Sequence, residues 1–441
     1  LPTEEEIIES CRVFVTSYFQ LGFIPKANFY ERIARKEVGD FLVLCILCLS
    51  ARFTPCLVAK YGTGEKATAF FSLRALELVP QKMYKPSLEN TQGFFLLSIA
   101  EWGNGDKDRS TVHMGIAVRM AATLKLHREE TYHLDPSASR EAVIQSEMGR
   151  RTFWMIQSQD NLQSGYNSPA PFALDDITAL LPCEESDFLF GINPPERAAL
   201  QGTPPAMANP LLADSPKRSL FAALIQAHSL WGQVARRACG PWEGSAAEGG
   251  STIDASSDYT RLVQTLRLFE EHLPEQQKWS VWNLRVWRDL GFEFAYLSVV
   301  MMLRLSNIMV RRIYLEDIKA CLTDSTMDPS THGFWKTASN ELFRNVDELY
   351  EQINLSLANQ PRTQAYPAIL VLPIYVCGSL ALNLWRCPEL CLDMADRAVE
   401  ILKRCMYFIS ELQLAWPMAR AWQQGLQQAA TPLSQQHSPR S

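Results

Sequence analysis

The sequence predicts an all-α fold, a large multi-helix body joined by long proline-rich connections. Apolar residues recur near every 3.6 positions, as in Leu262, Leu266, Phe269 and Leu273 before Pro274, and in Trp335, Ala338, Leu342, Val346, Leu349 and Ile353. Convincing strand alternation is absent, and breaker-rich connections separate the periodic segments, the longest running from Gly165 to Pro216. At 441 residues with 47% apolar side chains, the chain has material for a sizeable core, arranged as two packed subdomains or one helical assembly.

Along the chain, the apolar run Phe41 to Ser50 reads as a buried helix that also holds Cys45 and Cys48. A helix opens after the turn Gly103, Asn104, Gly105 and carries the stripe Val112, Ile116, Met120 and Leu124. Gly115 and Ala117 are small enough to admit close helix approach, and the helix ends in Leu126, His127, Arg128 and Glu129. A second helix starts near Ser146 and Glu147, a cap with an acid in the first turn, and reads Gly149, Arg150, Arg151, Thr152, Phe153, Trp154. Trp154 is expected in the core.

Asp160 lies two turns beyond Phe153, on the same face, so its carboxylate is expected to be at least half buried and to need a partner, Arg119 or Arg151. His228 sits on the stripe Leu224, Trp231 and Ala235, where it reads as a hydrogen-bonded core histidine. Phe292 to Val310 and Ala365 to Trp385 are apolar enough to resemble membrane spans. Glu293 and Arg304 in the first, and Pro367, Pro373 and Asn383 in the second, favour core helices, the second kinked at a proline. No membrane partner is expected.

Composition divides the chain into a helical half at 1–240, a Gly/Ser/Ala-rich flexible linker at 241–258, a second helical half at 259–430 and a disordered tail at 431–441. The formal net charge of -6 is the wrong sign for a segment that must neutralise phosphates, so any DNA contact belongs to another module. Eleven scattered cysteines, mostly in apolar surroundings, fit a reducing compartment. No secretory signal opens the chain, and its first residue, Leu1, reads as that of a fragment or a processed piece.

Catalytic and metal patterns are thin. Cys45 and Cys48 have zinc-knuckle spacing with Cys56 following, but the next cysteine is Cys183, so they read as core lining. The cluster His127, Glu129, Glu130, His133 and Asp135 lacks metalloprotease spacing. Gly62, Gly64 and Lys66 fall short of a phosphate loop, and no serine nucleophile elbow is present. Asp175 and Asp176 are the sole hint of a magnesium-diphosphate site of the helical isoprenoid-synthase kind. No catalytic, cofactor or metal residue is therefore assigned within the chain.

Ala100 to Ser164 resembles the middle homology region of fungal binuclear zinc-cluster transcription factors. The family's Gly-x-Ala-x-Arg-x-Ala helix ending in Leu-His-Arg is similar to Gly115, Ala117, Arg119, Ala121 and Leu126 to Arg128. Its Arg-Arg-x-Phe-Trp signature followed by Asp and Ser is similar to Arg150, Arg151, Phe153, Trp154, Asp160 and Ser164. Tyr18, Phe19, Pro25 and the run Phe41 to Ala51 match the family's start, whereas Gly165 to Pro169 replaces its usual Gly-Arg-Pro turn.

The resemblance implies a nuclear regulatory domain that controls transcription by RNA polymerase II and performs no catalysis. DNA would be bound through an N-terminal zinc cluster, with its zinc, absent from this chain. A small-molecule effector or a coregulator protein is the implied partner. The rival readings are the isoprenoid-synthase-like enzyme and a helical interaction scaffold unrelated to transcription.

Overall fold

The computed structural model describes residues 2–18, 22–163, 170–215, 217–239, 257–323, 328–357 and 366–436. Among them are twenty α-helices and no strand, as the apolar periodicity predicts. The helices Asp40–Ser50, Leu88–Asn104, Arg140–Gln163, Leu220–Cys239, Glu293–Arg312 and Val371–Arg386 are buried over most of their length. Leu88–Asn104 packs against both Asp40–Ser50 and Lys107–Thr123, while Leu220–Cys239 is held between Arg140–Gln163 and Glu293–Arg312. Glu293–Arg312 in turn packs on Pro329–Leu357, and Val371–Arg386 on Ala398–Leu412.

Side-chain caps start many of these helices. Thr3 forms a reciprocal capping box with Glu6, and Ser87, Asp106, Ser257 and Ser280 each accept a bond from a first-turn amide. Gly105, at φ 92°, supplies the left-handed turn between Leu88–Asn104 and Lys107–Thr123, as the Gly103-Asn104-Gly105 motif leads one to expect.

A continuous apolar cluster runs from Phe14 and Phe41 through Trp154 and Leu224 to Leu297, Leu342, Leu380 and Trp416. It therefore crosses the composition break around 241–258. Residues 240–256 lie outside the described set; Ser257 and Asp258, the last two positions of the expected linker, are already the cap and first residue of the helix Asp258–Glu271. The last helix, Ala419–Gln436, continues past position 430, where the tail was expected to begin.

Other local expectations are corrected. The buried face of Lys107–Thr123 is Ser110, His113, Met114, Ala117, Met120 and Ala121, while Val112 is exposed. A buried Glu101–His113 pair at 2.7 Å places polar groups on the inner face and so hides it from an apolar-stripe reading. Ala117 is buried, but Gly115 faces open space and admits no neighbouring helix.

Pro373 falls in the first turn of Val371–Arg386, where its missing N–H removes no bond within that α-helix, and the segment before it, Ala368–Leu370, is a 3-10 turn. The combined segment Ala368–Arg386 and the helix Glu293–Arg312 are long and apolar enough to cross a membrane, and both lie largely inside the fold.

The end of the chain closes on its beginning through Trp416, which is fully buried. Its indole Nε1 donates to the Tyr366 carbonyl at 2.7 Å, and the Arg52 guanidinium lies 4.2 Å from its ring centroid. Arg52 also donates to the carbonyl of Ala415 at 2.6 Å and to Asn104 Oδ1 at 2.9 Å. Gly103 makes this approach achievable, since a Cβ there would meet the Trp416 ring at 2.5 Å.

Two glycine substitutions should therefore differ in sign. Gly115→Ala, with nothing to strike, should stabilise the fold by roughly 0.4–1 kcal/mol. Gly103→Ala should destabilise it, because forcing carbon into a packed aromatic contact costs about 1–3 kcal/mol, more than the gain in helix propensity. Chemical denaturation of both variants measures the contrast.

Candidate functional site

The helix Arg140–Gln163 carries the most specific sequence pattern, and it begins two turns earlier than Ser146 and Glu147 suggest. Ser139 accepts a bond from the Ala142 amide and serves as the cap. Glu147 consequently lies inside the helix, where it is 2% exposed.

Each Glu147 oxygen is engaged. One accepts from Arg151 Nε at 3.1 Å and from the Cys183 amide at 3.0 Å, and the other from Arg197 at 2.8 Å. Arg150 Nε is 3.7 Å away. Burial alone would push the carboxyl's pKa up, but Arg197, Arg151, Arg150 and the Cys183 amide together hold it below the ordinary value.

Arg150 reaches the opposite way, with both terminal nitrogens on Glu129 at 2.6 and 2.8 Å and a third bond to the Leu180 carbonyl at 2.9 Å. This fork-on-fork geometry is the strong form of the pair. Glu129 also accepts from the Leu180 amide at 2.7 Å. The guanidinium stacks 4.1 Å from the Tyr132 ring centroid.

Arg151 is completely buried between the rings of Phe188 and Phe221. It donates to Glu185 at 2.5 Å and to the carbonyls of Gly22 and Cys183 at 3.1 Å. Burial opposes its charge, yet Glu185 and Glu147 raise its pKa above the ordinary arginine value. Three arginines thus meet three carboxylates, Glu129, Glu147 and Glu185, around one irregular stretch of chain, 177–183.

Trp154 donates its indole N–H to the Leu180 carbonyl at 2.8 Å, and Phe153 packs against Trp154 and Phe172. Both rings are fully buried, as expected for Trp154. On the far side, the His127 carbonyl accepts the amides of Thr178 and Ala179. The long connection is thereby fastened to the helix along its length, and the polar groups of the signature are directed at protein backbone and carboxylates.

The remaining signature residues fare differently. Arg119 is exposed on Lys107–Thr123 and does not serve Asp160. Arg151 is committed to Glu147 and Glu185, so the expected pairing of Asp160 with either arginine is corrected. The cation acting on half-buried Asp160 is Arg236, which also donates to Asn161 at 3.2 Å. Burial raises the Asp160 pKa to about 6 against the pull of Arg236. Ser164 and the departing turn 165–169 lie outside the described residues.

Sequence reasoning missed Glu147, Glu185, Arg197 and Arg236 as partners. Glu147 stands three and four positions before Arg150 and Arg151, a legible helix-face spacing, but Ser146 beside it reads as a cap and places it in the first turn. Nothing in the sequence linked Arg197 to it.

Cys45 and Cys48 are completely buried, with burial pushing the Cys48 thiol up to about 12, and among the described residues no group of three or more His, Cys, Asp or Glu could hold a metal. Asp175 and Asp176 are exposed on a short 3-10 turn, Asp176 beside Arg128 at 3.4 Å. His228 is buried between Ser158 and Ser298, and burial lowers its pKa to about 3.

Residues 14–223 match the model of the fungal specific transcription factor domain, a span that contains this entire arginine-carboxylate cluster. Just under half of the chain is thus similar to a fungal specific transcription factor domain. An uncharacterised transcriptional regulatory protein of Schizosaccharomyces pombe is 27% identical over 315 residues, covering 66% of this chain and 44% of that protein. Two Zn(2)-C6 fungal-type transcription factors of Fusarium oxysporum f. sp. lycopersici are 26% and 25% identical, over 74% and 80% of this chain but only 35% and 33% of their own lengths. The chain thus spans less than half the length of these relatives. No solved structure matches it.

Two outcomes test the geometry of the domain. Glu147→Ala would leave buried arginines uncompensated and should cost about 3–5 kcal/mol in denaturant unfolding. Asp160, whose pKa is raised on folding, favours the folded state only while protonated, and that contribution is lost as pH rises through about 6. Asp160→Asn should therefore stabilise the protein by on the order of 2 kcal/mol at pH 7.5 and leave it nearly unchanged below pH ~3.8, as read by thermal melts across pH.

Proposed function

We propose that the chain is the regulatory body of a zinc-cluster transcription factor that acts in the nucleus on transcription by RNA polymerase II. DNA binding, and the zinc that goes with it, would come from a cluster outside these 441 residues, since the chain's cysteines are dispersed and mostly buried. A regulatory role requires a stiff element with distinct states that a partner or effector binds with different affinity. The observation that carries the reading is the match at 14–223, whose most specific residues are spent on fastening the 177–183 stretch to one helix. The signature residues Arg150, Arg151, Phe153 and Trp154 then act as architecture, and the isoprenoid-synthase and scaffold readings have no observation in their favour.

The test is a reporter assay in yeast with the chain fused between an unrelated DNA-binding domain and an activation segment. Reporter output should differ by roughly fivefold or more from a fusion in which an unstructured linker of equal length replaces the chain, the coupling expected of a regulatory module. The Glu147→Ala variant should relax that difference. Identical output from chain and linker would refute a regulatory role.

A further inference from the structure

A second polar region lies away from the signature, in the C-terminal part of the fold. The helices Asp258–Glu271, Glu293–Arg312 and Pro329–Leu357 border an open cavity of about 570 Å³. Four arginines line it, and three of them have carboxylate partners. Arg267 lies 3.5 Å from Glu271, Arg344 lies 2.6 Å from Glu341, and Arg304 is paired with Glu270 and, at 2.9 Å, with Glu348.

Arg311 is the exception. It is 5% exposed, and among the described residues no carboxylate forms an ion pair with it. Its Nη1 donates to the backbone carbonyl and side-chain oxygen of Asn307 at 2.8 and 3.2 Å, and the guanidinium is also hydrogen-bonded to the Tyr259 hydroxyl. Its Nε is buried with no hydrogen-bond acceptor at all. Such a charge is disfavoured unless something pairs with it, and the acid whose charge acts on it, Glu341, is already tied to Arg344. Burial depresses its pKa accordingly.

We infer that this cavity is a binding site for a small organic anion, a carboxylate or phosphate that pairs with Arg311 while its body lies against Tyr259 and Phe334. A guanidinium fork suits either anion, because both present two oxygens at matching spacing. The edge-to-face pair of Tyr259 and Phe334, with centroids 5.9 Å apart, forms an aromatic wall of the same cavity. Asn345 also lines the cavity, its Oδ1 accepting from Arg304 at 3.0 Å and its Nδ2 donating to the Glu341 carbonyl at 2.7 Å. This site does not depend on the regulatory reading, since binding can be measured on the chain alone.

The experiment is calorimetric titration and thermal melting of the 441-residue chain with benzoate and with phenyl phosphate, against benzyl alcohol at matched ionic strength. Saturable binding of either anion with a rise in Tm, and none for benzyl alcohol, supports the site; which anion binds separates carboxylate from phosphate chemistry. Arg311→Met should weaken that binding by about tenfold or more, while the ligand-free Tm holds or rises, because a buried charge kept for a ligand burdens the empty fold. Thr337→Glu, exposed on the same rim, should fold normally and also lose binding by supplying an internal carboxylate. Failure of both anions to bind, binding retained in both variants, or a ligand-free Tm loss in Arg311→Met equal to that of Arg304→Met would overturn the inference.

Discussion

The buried carboxylate of Glu147 is the constraint on which the N-terminal half depends. It lies with Arg150, Arg151 and Arg197 in a region that excludes water, and each charge is tolerable only because the others are present. Through Arg151 the cluster reaches Gly22, Cys183 and Glu185, and through Arg150 it reaches Glu129 and Leu180. Four separated pieces of chain, at Gly22, at Glu129, at 180–185 and at Arg197, are thus fixed to one helix. An apolar core could fill the same space, but it would not specify which backbone carbonyl sits opposite which donor.

The second fixing point, Arg52 over Trp416, does for the chain ends what Glu147 does for the middle. A cation lies against an aromatic face while its N–H groups take backbone and amide oxygens, so the residues around 415 are set against those around 52 and 104. Both fixing points have the same form: arginine heads held by ring faces and oxygens inside the core. Arg311 shares that form, with the Asn307 oxygens and Tyr259 about its head and, as at Arg52, no acid; it differs in lining an open cavity.

Much of this was legible beforehand. The periodicity of Leu262 to Leu273 and of Trp335 to Ile353 gave helices because a 3.6-residue repeat admits one continuous apolar face and no other regular structure. The spacing of Arg150, Arg151, Phe153 and Trp154 marked the helix that holds the family pattern. Where polar groups face inward the reading failed: His113 with Glu101 on Lys107–Thr123, and Glu147 within Arg140–Gln163, occupy core positions that an apolar stripe cannot reveal.

The sequence alone determined the helical class, the burial of Trp154 and the kinship of the Arg-Arg-x-Phe-Trp helix, because these follow from local spacing and residue type. Only the tertiary structure decided who pairs with whom. Asp160 faces Arg236, Arg197 serves Glu147 across fifty positions, and Trp416 meets Gly103, since the partner of a buried charge or ring is set by how distant helices pack. That choice is a property of three-dimensional packing, which no window of neighbouring residues contains.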